Sequence, residues 1–152
     1  MSGTRNESVK MKVEHVHPAN LPAVWHQVKP IVDTALTHNV GEAVGSDFVE
    51  PLMTGEKDLY VSVNDNYELT GALITTINIH PQKKELFVDV WATVTGYADS
   101  ECYKTFEEAL LILADTEGCN YISAYCRKGL SRPLSKKLGW EESYSVMTKH
   151  LQ

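Results

Sequence analysis

Between Asp58 and Thr95 the chain passes through three stretches rich in β-formers, joined by two tight turns, and few folds accommodate that run. Asp58-Leu-Tyr-Val-Ser-Val63 meets the polar turn Asn64-Asp-Asn66. In the stretch from Leu69 to Ile79, Leu73, Thr75, Ile77 and Ile79 alternate with Ile74, Thr76 and Asn78. Pro81-Gln-Lys-Lys84 makes the second turn, and Glu85 to Thr95 follows. A strict period of two puts Leu86, Val88, Val90, Ala92 and Val94 on one face of that last strand. Strands joined this tightly predict an antiparallel meander.

Helical patterns flank the meander. Upstream, Met11-Lys-Val-Glu-His-Val16 alternates like a half-buried strand, and Asn20 and Pro22 suit a helix start. Val24, Val28, Ile31, Val32 and Ala35 then form one apolar stripe, with Pro30 predicting a kink or two short helices in series. A second helix is expected from about Ser46, as its cap, to Thr54, stopped by Gly55. Downstream, Phe106, Leu110, Leu113 and Ala114 mark a helix from about Thr105 to Glu117, ended by Gly118. Tyr121 to Cys126 reads as a strand, Leu130 to Leu138 as a short helix stopped by Gly139, and Trp140 to Leu151 as a last strand. The order is β-α-α-β-β-β-α-β-α-β, an α/β domain with one mixed sheet and helices on both faces. Residues 1–10 read as a flexible leader and 11–152 as a single domain.

Charge narrows the partners. Twenty acidic residues against 14 basic ones give a formal charge of −6, which opposes binding to DNA or RNA. The basic group Arg127, Lys128, Arg132, Lys136 and Lys137 is local. Cys102, Cys119 and Cys126 lack metal-ligand spacing and suit reduced thiols, and the six histidines are scattered, so no metal site is expected. No apolar run reaches the length of a membrane span, and a cytoplasmic protein is expected.

The order of elements resembles the N-acetyltransferase (GNAT) superfamily, and local sequence agrees. Glu107 to Cys119 is similar to the family's central helix, Leu134-Ser-Lys-Lys-Leu-Gly-Trp140 to its closing motif, and Val146 to Leu151 to its last strand. The resemblance covers Met11 to Leu151 and implies a cleft between the fourth and fifth strands, near Thr93 and Tyr121, where the pantetheine of acetyl-CoA enters. It further implies that CoA, if bound, meets Trp91, Val94, Thr95, Tyr103 and Thr105. Asp89 matches the family's carboxylate that deprotonates an amine, flanked by Phe87 and Trp91 in the apolar setting that makes a carboxylate a better base. Ser135 stands where the family keeps a tyrosine acid, and a hydroxyl of that kind is a poor substitute.

The phosphate loop departs from the family. A Gln/Arg-x-x-Gly-x-Gly/Ala loop normally turns backbone N–H groups toward the CoA pyrophosphate at a helix N-terminus. The matching stretch, Ala98-Asp-Ser-Glu-Cys-Tyr103, has none of the glycines and adds the carboxylates Asp99 and Glu101. At close range they repel a pyrophosphate, while making good sense at a helix start. Leu21-Pro-Ala-Val-Trp25 and Arg127-Lys-Gly129 further resemble acidic GNAT-like proteins of bacteriophages. That likeness implies particle assembly or contact with a host protein, in the host cytoplasm or the virion.

The expectation is therefore a GNAT-fold protein with a degenerate acetyl-CoA site and no cofactor, acting through a protein partner. The alternative is a working N-acyltransferase using acetyl-CoA, with Asp89 and Ser135 as its catalytic pair. A third reading, a small-molecule sensor, places Trp91, Tyr97, Tyr103 and Tyr125 around the same cleft.

Overall fold

The computed structural model describes residues 11–37, 43–94, 100–124, 139–141 and 149, with the side chains of 100–102 excepted. Strand β1 (Lys12–Val16) leads through a 3-10 turn at Pro18–Asn20 into helix α1 (Leu21–Leu36). A 3-10 turn at Gly45–Phe48 and helix α2 (Val49–Thr54) precede β2 (Asp58–Val63), β3 (Leu69–Ile79) and β4 (Lys84–Thr93). Helix α3 (Ser100–Glu117) and strand β5 (Tyr121–Ala124) complete the described elements. The sheet has strand order β1-β2-β3-β4-β5, antiparallel from β1 through β4, with β5 parallel to β4. The expected helix 130–138 lies outside the described residues, as does nearly all of the expected strand 140–151. Gly139, the expected helix stop, has φ 77°.

Several expected boundaries shift. Proline 30 does not divide the first helix, which continues to Leu36. The carbonyl deprived of its donor belongs to His26, an exposed residue, while Val28, Val32 and Leu36 hold the buried side. Asn20 holds the cap position of α1 without a side-chain hydrogen bond. Ser46 does not start the second helical segment. Instead the Asp47 carboxylate accepts from Val44 N–H at 2.9 Å. Gly55 ends α2 at φ 84°, as a left-handed stop requires.

The sheet carries a separate apolar layer on each face. On one side, Leu59, Val61, Ala72, Ile74, Val90 and Ala92 pack with Val28, Val32 and Leu36 of α1. On the other, Leu73, Leu86, Val88 and Trp91 pack with Tyr103, Phe106, Leu110 and Ala114 of α3. Leu113 and Ile122 join this second layer, as periodicity predicts. The single core face expected for β4 is corrected here: Leu86 and Val88 face α3, whereas Val90 and Ala92 face α1. The cause is a β-bulge. Thr75 of β3 is opposite Val88, and Ile74 is opposite Val90, so Asp89 is the extra residue and the alternation changes side there. Gly71 allows α3 to approach the sheet, since a Cβ there would stand 2.6 Å from Ala92 O and 2.8 Å from the Phe106 ring.

Candidate functional site

The bulge positions the site. The β4–β5 ladder runs from Glu85↔Tyr121 to Val88↔Ala124, and β4 continues past it to Thr93. Among the described residues, β4 therefore has no β5 partner from Asp89 onward. Tyr121 belongs to the paired end, so the two strands do not diverge near Tyr121.

Asp89 points to the α1 side, where each of its oxygens accepts a hydrogen bond. Lys57 Nζ donates to Oδ1 at 3.0 Å and Thr76 Oγ1 donates to Oδ2 at 2.5 Å. The Lys57 ammonium also donates to Thr76 Oγ1 at 2.8 Å. With side-chain exposures of 20% for Lys57 and 13% for Asp89, the pair is largely shielded from water. Lys57 and Thr76 were not singled out from the sequence. Thr76 was legible on the alternate face of its strand, but the bulge that brings Asp89 to it was not.

On the α3 side, Trp91 lies within an aromatic cluster. Its ring stands edge-on to Tyr103 at 6.1 Å, Phe106 at 6.2 Å and Trp140 at 5.8 Å. Tyr103 and Trp91 are both buried, and Trp140 Nε1 donates to Glu107 Oε2 at 2.7 Å. By contrast, Trp91 Nε1 and Thr75 Oγ1 are buried without a hydrogen-bond partner among the described residues. A buried donor left without an acceptor is costly, so each marks a place where a polar atom would be welcome.

The other sequence-derived site residues distribute as follows. Val94 is half-buried, and its N–H donates to Thr70 O at 2.9 Å. Thr105 is not at a helix start. Helix α3 begins at Ser100, so Thr105 lies more than a turn inside it. Residues 95–99, Tyr97 and Asp99 among them, lie outside the described residues, as do Tyr125, Ser135 and the basic group 127–137. Glu101 is the second residue of α3 and Asp99 immediately precedes the helix in sequence.

A second polar cluster lies at the far end of β4. Glu85 accepts from Ser123 Oγ, from Asn78 Nδ2 at 3.2 Å, and pairs with His80 Nε2 at 2.9 Å. Burial alone raises a carboxyl pKa, but here the donors outweigh it and hold Glu85 below its ordinary value. Ser123 and His80 both bind the carboxylate and not each other, so they do not form a nucleophile–base pair. Among the described residues no three of His, Cys, Asp and Glu group to hold a metal, and no helix is long and apolar enough to cross a membrane.

Neither a family model nor a curated protein matches the chain. Solved structures do. An aminoglycoside acetyltransferase from an uncultured soil metagenomic sample, in complex with sisomicin, superposes with TM-score 0.70 at 16% identity, covering 93% of this chain and 97% of that one. The ribosomal-protein-alanine N-acetyltransferase of Brucella melitensis biovar Abortus 2308 gives TM-score 0.71 at 12% identity, covering 94% and 100%.

The chain has the GNAT acetyltransferase fold.

A transcriptional regulator from Bacillus halodurans C-125 is also similar in structure, with TM-score 0.66 at 15% identity, covering 93% of this chain and 100% of that one. Identities this low carry the architecture and leave the chemistry to the residues.

Proposed function

We propose that this GNAT-fold chain has given up acyl transfer and acts by binding a protein. The observation that carries the reading is Asp89, whose two oxygens are held by Lys57 and Thr76. Each oxygen keeps a further lone pair, but a base must be presented to the proton it takes, and this carboxylate is instead tied into the sheet by Thr76 and a largely shielded ion pair with Lys57. The start of α3 supports the same reading. In the sequence Asp99 directly precedes α3 and Glu101 is its second residue, so two acidic residues occupy the stretch where the family receives a pyrophosphate. The acidic stretch Ala98 to Tyr103, without glycines, does not suit acetyl-CoA.

Titration calorimetry with acetyl-CoA tests this directly. No saturation is expected up to about 1 mM, the upper end of common KM values. Saturation at micromolar concentrations, with acetyl transfer to an amine, would overturn the reading. The setting we propose, particle assembly or host-protein contact in a bacteriophage, rests on the sequence resemblance alone. In the fold, Leu21 and Trp25 of that resemblance serve the core. Absence of the chain from purified particles and from host complexes alike would remove that setting.

A second reading, an N-acyltransferase using acetyl-CoA, is favoured by one pair of observations. The edge of β4 beyond the bulge has no described strand partner, and Trp91 Nε1 is a buried donor without an acceptor. In that reading Trp91 and Val94 would border the thioester, and Asp89 would have to leave Lys57 before accepting a proton.

A further inference from the structure

The outer side of α3 carries a feature that the core does not use. Phe106, Leu110 and Ala114 turn to the sheet and are buried, yet Leu111 and Ile112 are 54% and 69% exposed. Two adjacent aliphatic side chains on the water side of a helix forfeit the stabilisation their burial would bring. A helix whose inner stripe is already complete gains nothing from them in the folded chain.

Their surroundings are acidic. Glu107 and Glu108 lie one turn before the pair and Asp115 one turn after, with Glu117 at the helix end. Lys104 is the lone basic residue of α3. Glu108 and Asp115 are exposed, so their charges stand in solvent beside the aliphatic pair.

We propose that the Leu111–Ile112 face of α3 is a docking surface for a partner protein, taking an amphipathic helix whose apolar stripe is flanked by Lys or Arg. This deepens the protein-binding reading above and rests on it. The sign of the rim selects the occupant. A second copy would bring the same carboxylates against Glu108 and Asp115. An anionic membrane or a nucleic acid is repelled for the same reason. A neutral helix would cover the aliphatic pair but leave the rim unanswered. Leucines on one stripe with lysines beside them satisfy both.

The probe is a synthetic helical peptide of about 18 residues, long enough to be helical when bound, with a leucine stripe flanked by lysines. A matching peptide carries glutamates in place of the lysines. Binding to the full chain is read by fluorescence anisotropy, and its location by amide shifts in the NMR spectrum. The lysine peptide is expected to shift residues 108–115, to weaken as salt rises, and to lose at least about tenfold in affinity against Leu111→Ser/Ile112→Ser. Because both side chains are exposed, that variant should keep the thermal midpoint of the parent. A charge variant, Glu108→Lys/Asp115→Lys, should reverse the preference toward the glutamate peptide. Absent binding, equal binding of the two peptides, or binding that ignores the serine variant overturns the proposal. Self-association of the parent that the serine variant abolishes does so too, since a second copy would then be the occupant. Saturation by acetyl-CoA would sink the non-catalytic reading and leave the peptide result standing, so the two failures are distinct.

Discussion

Lys57 Nζ reaches Asp89 Oδ1 across 3.0 Å and thereby ties the approach to β2 to the bulged residue of β4. Lys57→Met leaves a shielded carboxylate without its cation and should cost about 1–3 kcal/mol in urea unfolding. Adding Asp89→Asn should recover part of that loss, because the remaining group is then neutral. An additive double variant would mean that the pair is not coupled.

The bulge also makes a prediction about coupling through the core. Val90 packs with the α1 layer and Leu110 with the α3 layer, on opposite sides of the sheet. Leu110→Ala should cost about 2–5 kcal/mol. Val90→Ala should cost about 1.5–3 kcal/mol. Together they should add within about 0.5 kcal/mol, whereas Val88→Ala with Leu110→Ala should not. Strong coupling between Val90 and Leu110 would restore the single core face that periodicity implied.

That contrast shows which parts of the fold were legible in the sequence. β2 and β3 have their expected limits because alternation and turn residues act locally, within one strand and its hairpin. The face change at Asp89 was not legible, since a bulge depends on how two strands register and not on the composition of either. Sequence pattern puts the start of α3 at about Thr105, five residues late, for a related reason. Asp, Ser and Glu read as loop residues, yet the same residues stabilise a first helical turn. The GNAT order was legible in outline, but the engagement of Asp89 by Lys57 was not. Residues more than thirty positions apart meet there only through the folded sheet.

Gly71 sets the distance between α3 and the sheet. An added methyl group would meet backbone at Ala92 O as well as the Phe106 ring, so no flexible side-chain end can simply move away. Gly71→Ala should therefore cost about 1–3 kcal/mol. Pairing it with Phe106→Leu should relieve some of that cost. Thermal unfolding of the single and double variants checks both statements.

Tyr60 has its pKa pushed up to about 12, first by burial and then by the charges of Asp58 and Glu117. Its ordinary value is 10.0. The folded chain therefore holds the phenol proton more tightly than the unfolded chain does. This contribution is complete below the ordinary value and disappears as pH rises from there through the folded value. Alkaline titration of phenolate absorbance should show a late-titrating tyrosine, and Tyr60→Phe should abolish it. A parent and a Phe variant that lose stability identically over this pH range would contradict the assignment.

The last prediction concerns the start of α3. Asp99 directly precedes the first helical residue in sequence and Glu101 is the second, so the stretch that would meet a pyrophosphate carries two acidic residues. At about 5 Å and an effective dielectric of about 20, each pair of unit charges costs roughly 3 kcal/mol. The helix end returns only about 0.3–1 kcal/mol of attraction when exposed. Repulsion wins on these magnitudes. Asp99→Gly/Glu101→Gly should therefore raise CoA affinity by at least about tenfold, which 1.4 kcal/mol suffices to produce. The same change puts a glycine into the first turn of α3 and should lower stability by about 0.5–1 kcal/mol. Calorimetry with CoA and a thermal melt measure the two effects on one sample. Unchanged or weaker CoA binding in the variant would show that charge at this helix start is not what turns the cofactor away.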